Sequence, residues 1–196
     1  LTQTAYEKLK ADVLACRFEP GKRLRIADLC ERLSVSQGIV REALSRLTSE
    51  GLIEAQPQRG FKVVPVSAND LLHLTAARCE IESLCLERAI AVGDIQWESS
   101  IIAAHHQLIA TPQLDPGQKD TYSEDFLAAN NRFRDCLVAA CDNPWLTKMR
   151  AMLCTQTLRY QLLSKPQKDN LIDKYNTVMR YTLARDAKNA CSVLSE

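Results

Sequence analysis

The stretch Ser34 to Gly51, SVSQGIVREALSRLTSEG, constrains the fold of this chain more than any other. Ile39, Val40, Ala43, Leu44 and Leu47 recur at helical spacing and form one apolar stripe. Gln37, Arg41, Ser45 and Arg46 lie off that stripe. Ser36 is placed to cap the helix and Gly51 to stop it. Just behind comes Gln56 to Val64, QPQRGFKVV. Leu52 to Ala55 and Phe61 to Val66 read as two strands joined by Gln56 to Gly60, a tight basic hairpin. A polar-faced helix followed by a basic two-stranded wing is the arrangement with which a winged helix-turn-helix grips duplex DNA.

The flanking pattern agrees. Ala5, Leu9, Val13 and Leu14 predict a first helix over Leu1 to Cys16, ended by Phe18-Glu19-Pro20-Gly21. Ile26 to Leu33 predicts a second, short helix. The hairpin strands are the only strands expected. Beyond Val66-Ser67 the pattern is helical almost throughout: a helix capped by Asn69 and broken at Gly93-Asp94, then Trp97 to Ala110, Tyr122 to Cys141, Trp145 to Leu163, Asn170 to Arg185 and a last one from Asp186. Thr111 to Lys119 reads as a loop, and Lys165-Pro166 as a break. The expected architecture is mainly α: a winged helix-turn-helix with a small β-hairpin over residues 1–66, and an antiparallel helical bundle over 67–196.

Composition narrows the setting. No run of about 18 apolar residues is present, so no membrane span is expected. None of the eight cysteines forms a CxxC pair, and most fall on helical stripes, which reads as reduced, buried thiols of a cytoplasmic protein. Residues 1–65 hold 11 Lys/Arg against 8 Asp/Glu, and the remainder 14 against 16. That mild asymmetry is compatible with a DNA-binding first part and does not establish it. Neither a Gly-rich phosphate loop nor a nucleophile elbow nor a metal-hydrolase motif occurs, so no enzyme is expected. Glu124 and Asp125 read as a solvated helix start. His105 and His106, adjacent on a helix, point about 100° apart and make a poor chelate, and His73 has no evident partner.

Within the first part, each polar residue suits one kind of DNA contact. Arg41 is best placed for a bidentate bond to guanine, and Gln37 to read adenine, with Gly38 admitting close backbone approach. Arg46 is expected at phosphate. Arg59-Gly60 at the hairpin tip, with Lys62 behind, suits a wing beside the groove, and Arg23 and Arg25 suit backbone oxygens. The alternative is a winged module for protein contacts, attached to a degenerate sensor domain.

Residues 4–65 resemble the N-terminal domain of GntR-family bacterial repressors. The resemblance rests on FEPGKRL at 18–24, DLCERLSVS at 28–36, VREALSRLTSEGLI at 40–53 and RGFKV at 59–63. Gln37 stands where the family usually has Arg, and Ile26-Ala27 where it often has Glu-Arg. The second part resembles the helical FCD-type ligand domain of the FadR subgroup, through Asp70-Leu71-Leu72, Arg78, Ile81-Glu82, Asn130 to Arg134, Asn143-Pro144 and Lys174 to Ala190. The resemblance implies a homodimer on a near-palindromic double-stranded operator, with a small organic acid as effector and no membrane partner.

Many members of that subgroup hold a divalent metal through an Asp or Asn, a His four residues on, and two later His. The matching positions here are Asn130, Arg134 and Tyr175, and the fourth would fall just past Glu196. A guanidinium has no lone pair to donate, so no metal and no other cofactor is expected. Two readings of Arg134 stay open. It can bind the effector's carboxylate directly, with Arg78, Asn130, Tyr160 and Tyr175 as partners. Alternatively, it pairs with an internal acid such as Glu82.

Overall fold

The computed structural model describes residues 1–117, 121–163 and 171–195 of the chain. The break at Lys165-Pro166, the helix start at Asn170 and the last residues of the loop toward Lys119 lie outside them. The described residues divide into two compact units, Leu1–Leu74 with Cys154–Ser164, and Thr75–Leu153 with Lys165–Glu196.

In the first unit, α1 (Thr2–Leu14) packs Ala5, Tyr6, Leu9 and Val13 against Val40, Ala43, Leu44 and Leu47 of α3 (Gln37–Ser49). These residues sit three or four apart, so each helix offers one apolar face to the other. Between them lies α2 (Ile26–Leu33), whose Ser34 cap takes the left-handed conformation (φ 53°) and turns the chain into α3. Asp12, buried on α1, takes ion pairs from Arg17 and from Arg32 of α2, both at 2.7 Å. Ser36 occupies the cap position of α3 in extended backbone, but its side chain makes no capping hydrogen bond, contrary to expectation.

The sheet has three antiparallel strands in the order β1-β3-β2: β1 Arg23–Leu24, β2 Ile53–Gln56 and β3 Gly60–Val63. The sequence pattern indicates only β2 and β3. β1 is two residues long, too short for an alternation to register, and pairs Arg23 with Lys62 and Leu24 with Phe61. Pro20-Gly21 sets it up, Gly21 (φ 82°) donating to Val63 O at 3.0 Å. The hairpin turns through Gln58 (φ 60°), with Arg59 N donating to Gln56 O at 3.0 Å.

This unit also contains the start of α4 (Ala68–Val92) and the end of α7 (Pro144–Leu163). Ser67, not Asn69, caps α4: its Oγ accepts from Asp70 N at 3.1 Å, because the helix begins two residues earlier than the Asn69 cap requires. On α7, Arg159 is only 2% exposed and donates to Val64 O, while Gln156 donates to Glu50 O at 2.5 Å.

The second unit holds the rest of α4 and α7 with α5 (Ile95–Ala110), α6 (Glu124–Val138), α8 (Leu171–Leu183) and α9 (Ala187–Ser195). Leu86, Ile101, Leu108, Phe126, Phe133, Leu137, Tyr175 and Val178 form its core. Asp94 and Ser123 cap α5 and α6 by accepting from Trp97 N (2.8 Å) and Phe126 N (3.0 Å). Gly93 has a packing reason: a Cβ there would stand 2.1 Å from the Trp97 ring. All eight cysteines are free, but only Cys85 and Cys191 are buried; the other six are half-buried.

Candidate DNA interface and buried arginine cluster

On α3 the apolar stripe faces α1, and Gln37, Gly38, Arg41 and Ser45 are all exposed. At about 100° per residue, Gln37, Arg41 and Ser45 follow one another around the helix in steps of about 40° and share a face. Arg41 makes no ion pair and no side-chain hydrogen bond within the described chain. A Cβ added at Gly38 would meet only Ser36 Oγ, at 3.9 Å, so the backbone there is open to a partner.

Arg46 is placed differently from the expectation. It stands about 140° around the helix from Arg41. Its guanidinium lies 3.9 Å from the centre of the Tyr6 ring and donates to Gln3 Oε1 at 2.9 Å. Tyr6 in turn bonds Glu50, which pairs with Lys10 at 2.6 Å. Burial pulls Glu50 upward, but its bonds to Lys10 and Tyr6 and the charge of Arg46 hold it below the ordinary carboxylate value. Arg46 thus ties α3 to α1.

The wing and the start of α2 enclose an open cleft of about 700 Å³. Lys22, Arg23, Arg25, Asp28, Arg59 and Gly60 line it. Four of its cations, Lys22, Arg23, Arg25 and Arg59, are exposed and without side-chain partners in the described chain. The first turn of α2 opens onto this cleft with no capping side chain, so its free N–H groups add partial positive charge. Lys62, half-buried, lies between Arg23 and Glu54 in the sheet. Gly60 (φ 85°) is at the cleft mouth. Arg17 and Arg32, by contrast, are held by Asp12. The uncommitted cations therefore gather at the cleft between the wing and the start of α2.

In the second unit, Glu82 of α4 is 2% exposed and gathers three guanidinium groups. Arg134 of α6 bonds Oε2 directly; Arg78, one turn before Glu82, stands 3.4 Å from the same oxygen; Arg150 of α7 stands 3.3 Å from Oε1. Arg134 also donates to the Tyr175 hydroxyl at 3.3 Å, and Arg150 to Asp135 at 2.6 Å. Burial alone would raise the Glu82 carboxyl; the charges of Arg134, Arg78 and Arg150 outweigh it and hold it below the ordinary value. Asn130 lies one turn from Arg134, buried, its Oδ1 without a hydrogen-bond partner. Phe133 bridges Tyr175 and His105, with ring centres 5.2 and 5.4 Å away. His105 is buried and His106 exposed.

Thus Arg78, Arg134 and Tyr175 come together, with Asn130 alongside. Tyr160 does not join them. It belongs to the first unit, where its hydroxyl donates to Asp70 and accepts from Ser67 N at 3.4 Å, because the end of α7 from Cys154 packs there. Sequence reasoning misses Arg150, which meets Glu82 from a helix distant in sequence, and Asp135, which meets Arg150. The i, i+4 spacings of Arg78 with Glu82 and of Asn130 with Arg134 are the parts of the cluster that helical periodicity displays.

These side chains do not fit a metal. The second expected ligand position carries the Arg134 guanidinium, committed to Glu82 and Tyr175, and no group of three or more His, Cys, Asp or Glu able to hold an ion occurs among the described residues.

Two family models match the chain, one after the other. The gntR family of bacterial regulatory proteins matches residues 1–63, and the FCD domain matches residues 73–196. The chain is 32% identical over 198 residues to the HTH-type transcriptional regulator BphR of Paraburkholderia xenovorans (strain LB400), covering 99% of this chain and 80% of that protein. It is 29% identical to the HTH-type transcriptional repressor GlaR of Escherichia coli (strain K12), covering 97% and 89%. Among solved structures, Escherichia coli McbR/YncC superposes with a TM-score of 0.75 at 24% identity, covering 98% of this chain and 91% of that one. A putative GntR regulator from Rhodococcus sp. RHA1 gives 0.74 at 19%. No helix among the described residues is long and apolar enough to cross a membrane. Matched by both family models and by a relative of 32% identity, the chain belongs to the GntR family of bacterial transcriptional regulators, as a winged helix-turn-helix joined to an FCD domain.

Proposed function

We propose that this regulator acts as a cytoplasmic repressor that binds a near-palindromic operator as a homodimer and is retuned by a small organic acid held in its FCD domain. The observation that carries the DNA part is the uncommitted face of α3, Gln37 to Ser45, beside the cleft of Lys22, Arg23, Arg25 and Arg59. α3 enters the major groove, Arg41 reads guanine, and the wing follows the phosphates. Gln37 gives the protein a base preference of its own. The repressor sign follows the relative GlaR, described as a repressor.

Two observations support the rest. Trp145, Met149 and Met152 form an i, i+4, i+7 stripe on α7 that is 69%, 44% and 52% exposed, an apolar strip suited to an identical partner. In the bundle, the Arg78, Asn130, Arg134 and Tyr175 grouping offers guanidinium and hydroxyl donors to the carboxylate of an organic acid, and an unsatisfied amide oxygen to a hydroxyl it carries. A complete switch from bound to free operator requires the effector to favour one state by up to about 5.5 kcal/mol.

Fluorescence anisotropy with labelled DNA from upstream of the protein's own coding sequence tests the reading. Saturable, salt-sensitive binding that a small organic acid alters is expected. Equal affinity for that DNA and for a shuffled sequence would leave only the protein-contact alternative.

A further inference from the structure

The arginine cluster is out of balance in both charge and hydrogen bonding. Arg78, Arg134 and Arg150 face Glu82 and Asp135, and Asp135 is 67% exposed and so partly screened by water. Among the described residues, three cations thus oppose two anions, only one of them buried. A guanidinium carries five N–H donors, and a carboxylate about four acceptor sites. One buried carboxylate cannot satisfy three such groups, and Arg78 Nε is buried without a hydrogen-bond partner. The adjoining Asn130 Oδ1 is likewise unsatisfied and would take a donor such as a ligand hydroxyl.

We propose that Glu82 is a built-in competitor for the effector: its carboxylate occupies the guanidinium of Arg134, and a small monocarboxylate binds by exchanging with it there. The inference rests on the reading of the bundle as the effector site. Two features make the exchange feasible. A buried carboxylate stripped of its partner is costly, but Glu82 giving up Arg134 still has Arg78 at 3.4 Å and Arg150 at 3.3 Å. The charge count also selects the ligand class. With Asp135 counted in full despite its exposure, one added negative charge balances the cluster with Glu82 ionised, whereas a dianion would overshoot by one. Tyr175, on Arg134's other side, would turn its hydroxyl to the incoming oxygen.

Calorimetric titration of the full chain with acetate, lactate and succinate tests this, on wild type, Glu82→Gln, Glu82→Asp and Arg134→Gln. Removing the competitor's charge (Gln) or shortening its reach (Asp) should tighten acetate or lactate binding at least tenfold, while Arg134→Gln should abolish it. Succinate should bind more weakly than the monocarboxylates. Circular dichroism identifies variants that fold, and the Asp variant carries the test where the Gln variant does not fold. Should neither fold, carbon-13 NMR of labelled glutamate in wild type replaces them: a saturable shift of a buried glutamate carboxyl with acetate is expected, and its absence overturns the proposal. Unchanged or weaker acid binding in the folded Glu82 variants, or no binding by any chain, also overturns it. Operator anisotropy on the same samples separates the two ideas. Acids that shift operator affinity without tightening in the Glu82 variants sink the exchange alone. Acids that exchange yet leave the operator untouched sink the effector reading alone.

Discussion

Arg41 and Arg46 stand five residues apart on one helix, yet their surroundings assign them different work. Arg41 has no partner in the described chain, whereas Arg46 stacks on Tyr6 and bonds Gln3. Arg41→Ala should cost about 1–3 kcal/mol in discrimination between operator and shuffled DNA, measured as a ratio of dissociation constants. Arg46→Ala should leave that ratio nearly unchanged and instead lower the midpoint of thermal unfolding. The buried titratable groups lead to an expectation on the acid side. His105 is held below its ordinary value, chiefly by burial, and Glu82 is held low by its arginines against burial. Both depressed groups contribute stability that is present above their unfolded values and is lost as pH falls through the folded ones. Stability should therefore start to fall below about pH 6.5, where the unfolded histidine begins to protonate, and fall again below the ordinary glutamate range. His105→Gln should remove the first step in a denaturant series at several pH values and leave the second.

At the scale of elements, helical spacing carries most of the information. Leu9 and Val13 on α1, Leu44 and Leu47 on α3, and Phe133 and Leu137 on α6 announce their helices because each repeats at three or four residues and each is buried. What the pattern does not reveal is what depends on partners far away in the chain. β1 exists because Arg23 and Leu24 meet Lys62 and Phe61. The end of α7 reads as one more bundle helix, yet Arg159 and Gln156 bond backbone oxygens near β2 and β3. Arg159 is fully buried with its charge on a carbonyl, so Arg159→Met should destabilise the first unit by about 1.5–3 kcal/mol in urea unfolding. The candidate sites follow the same rule. The α3 face is visible in the sequence because it lies on one helix. The three-arginine grouping is not, because α4, α6 and α7 each supply a part.

For the whole molecule, on the proposed reading, a chain with a net charge of +1 would select DNA by where its cations are left uncommitted, not by their number. Acids neutralise Arg17, Arg32 and Arg134 in place; Arg23, Arg25, Arg41 and Arg59 have no such partner in the described chain. The exposed Trp145 stripe, as a surface for a second copy, leads to a separate expectation. Trp145→Glu should shift the mass seen by light scattering from two chains toward one and weaken operator binding without altering the circular dichroism spectrum. The central claim is that α3 and the wing read duplex DNA, and a salt series of operator anisotropy tests it most directly. The account predicts a log–log affinity slope several units negative for wild type, reduced by about 0.9 for Arg59→Ala, with preference for the operator collapsing in Arg41→Ala. An unchanged slope and preference in both variants would contradict it.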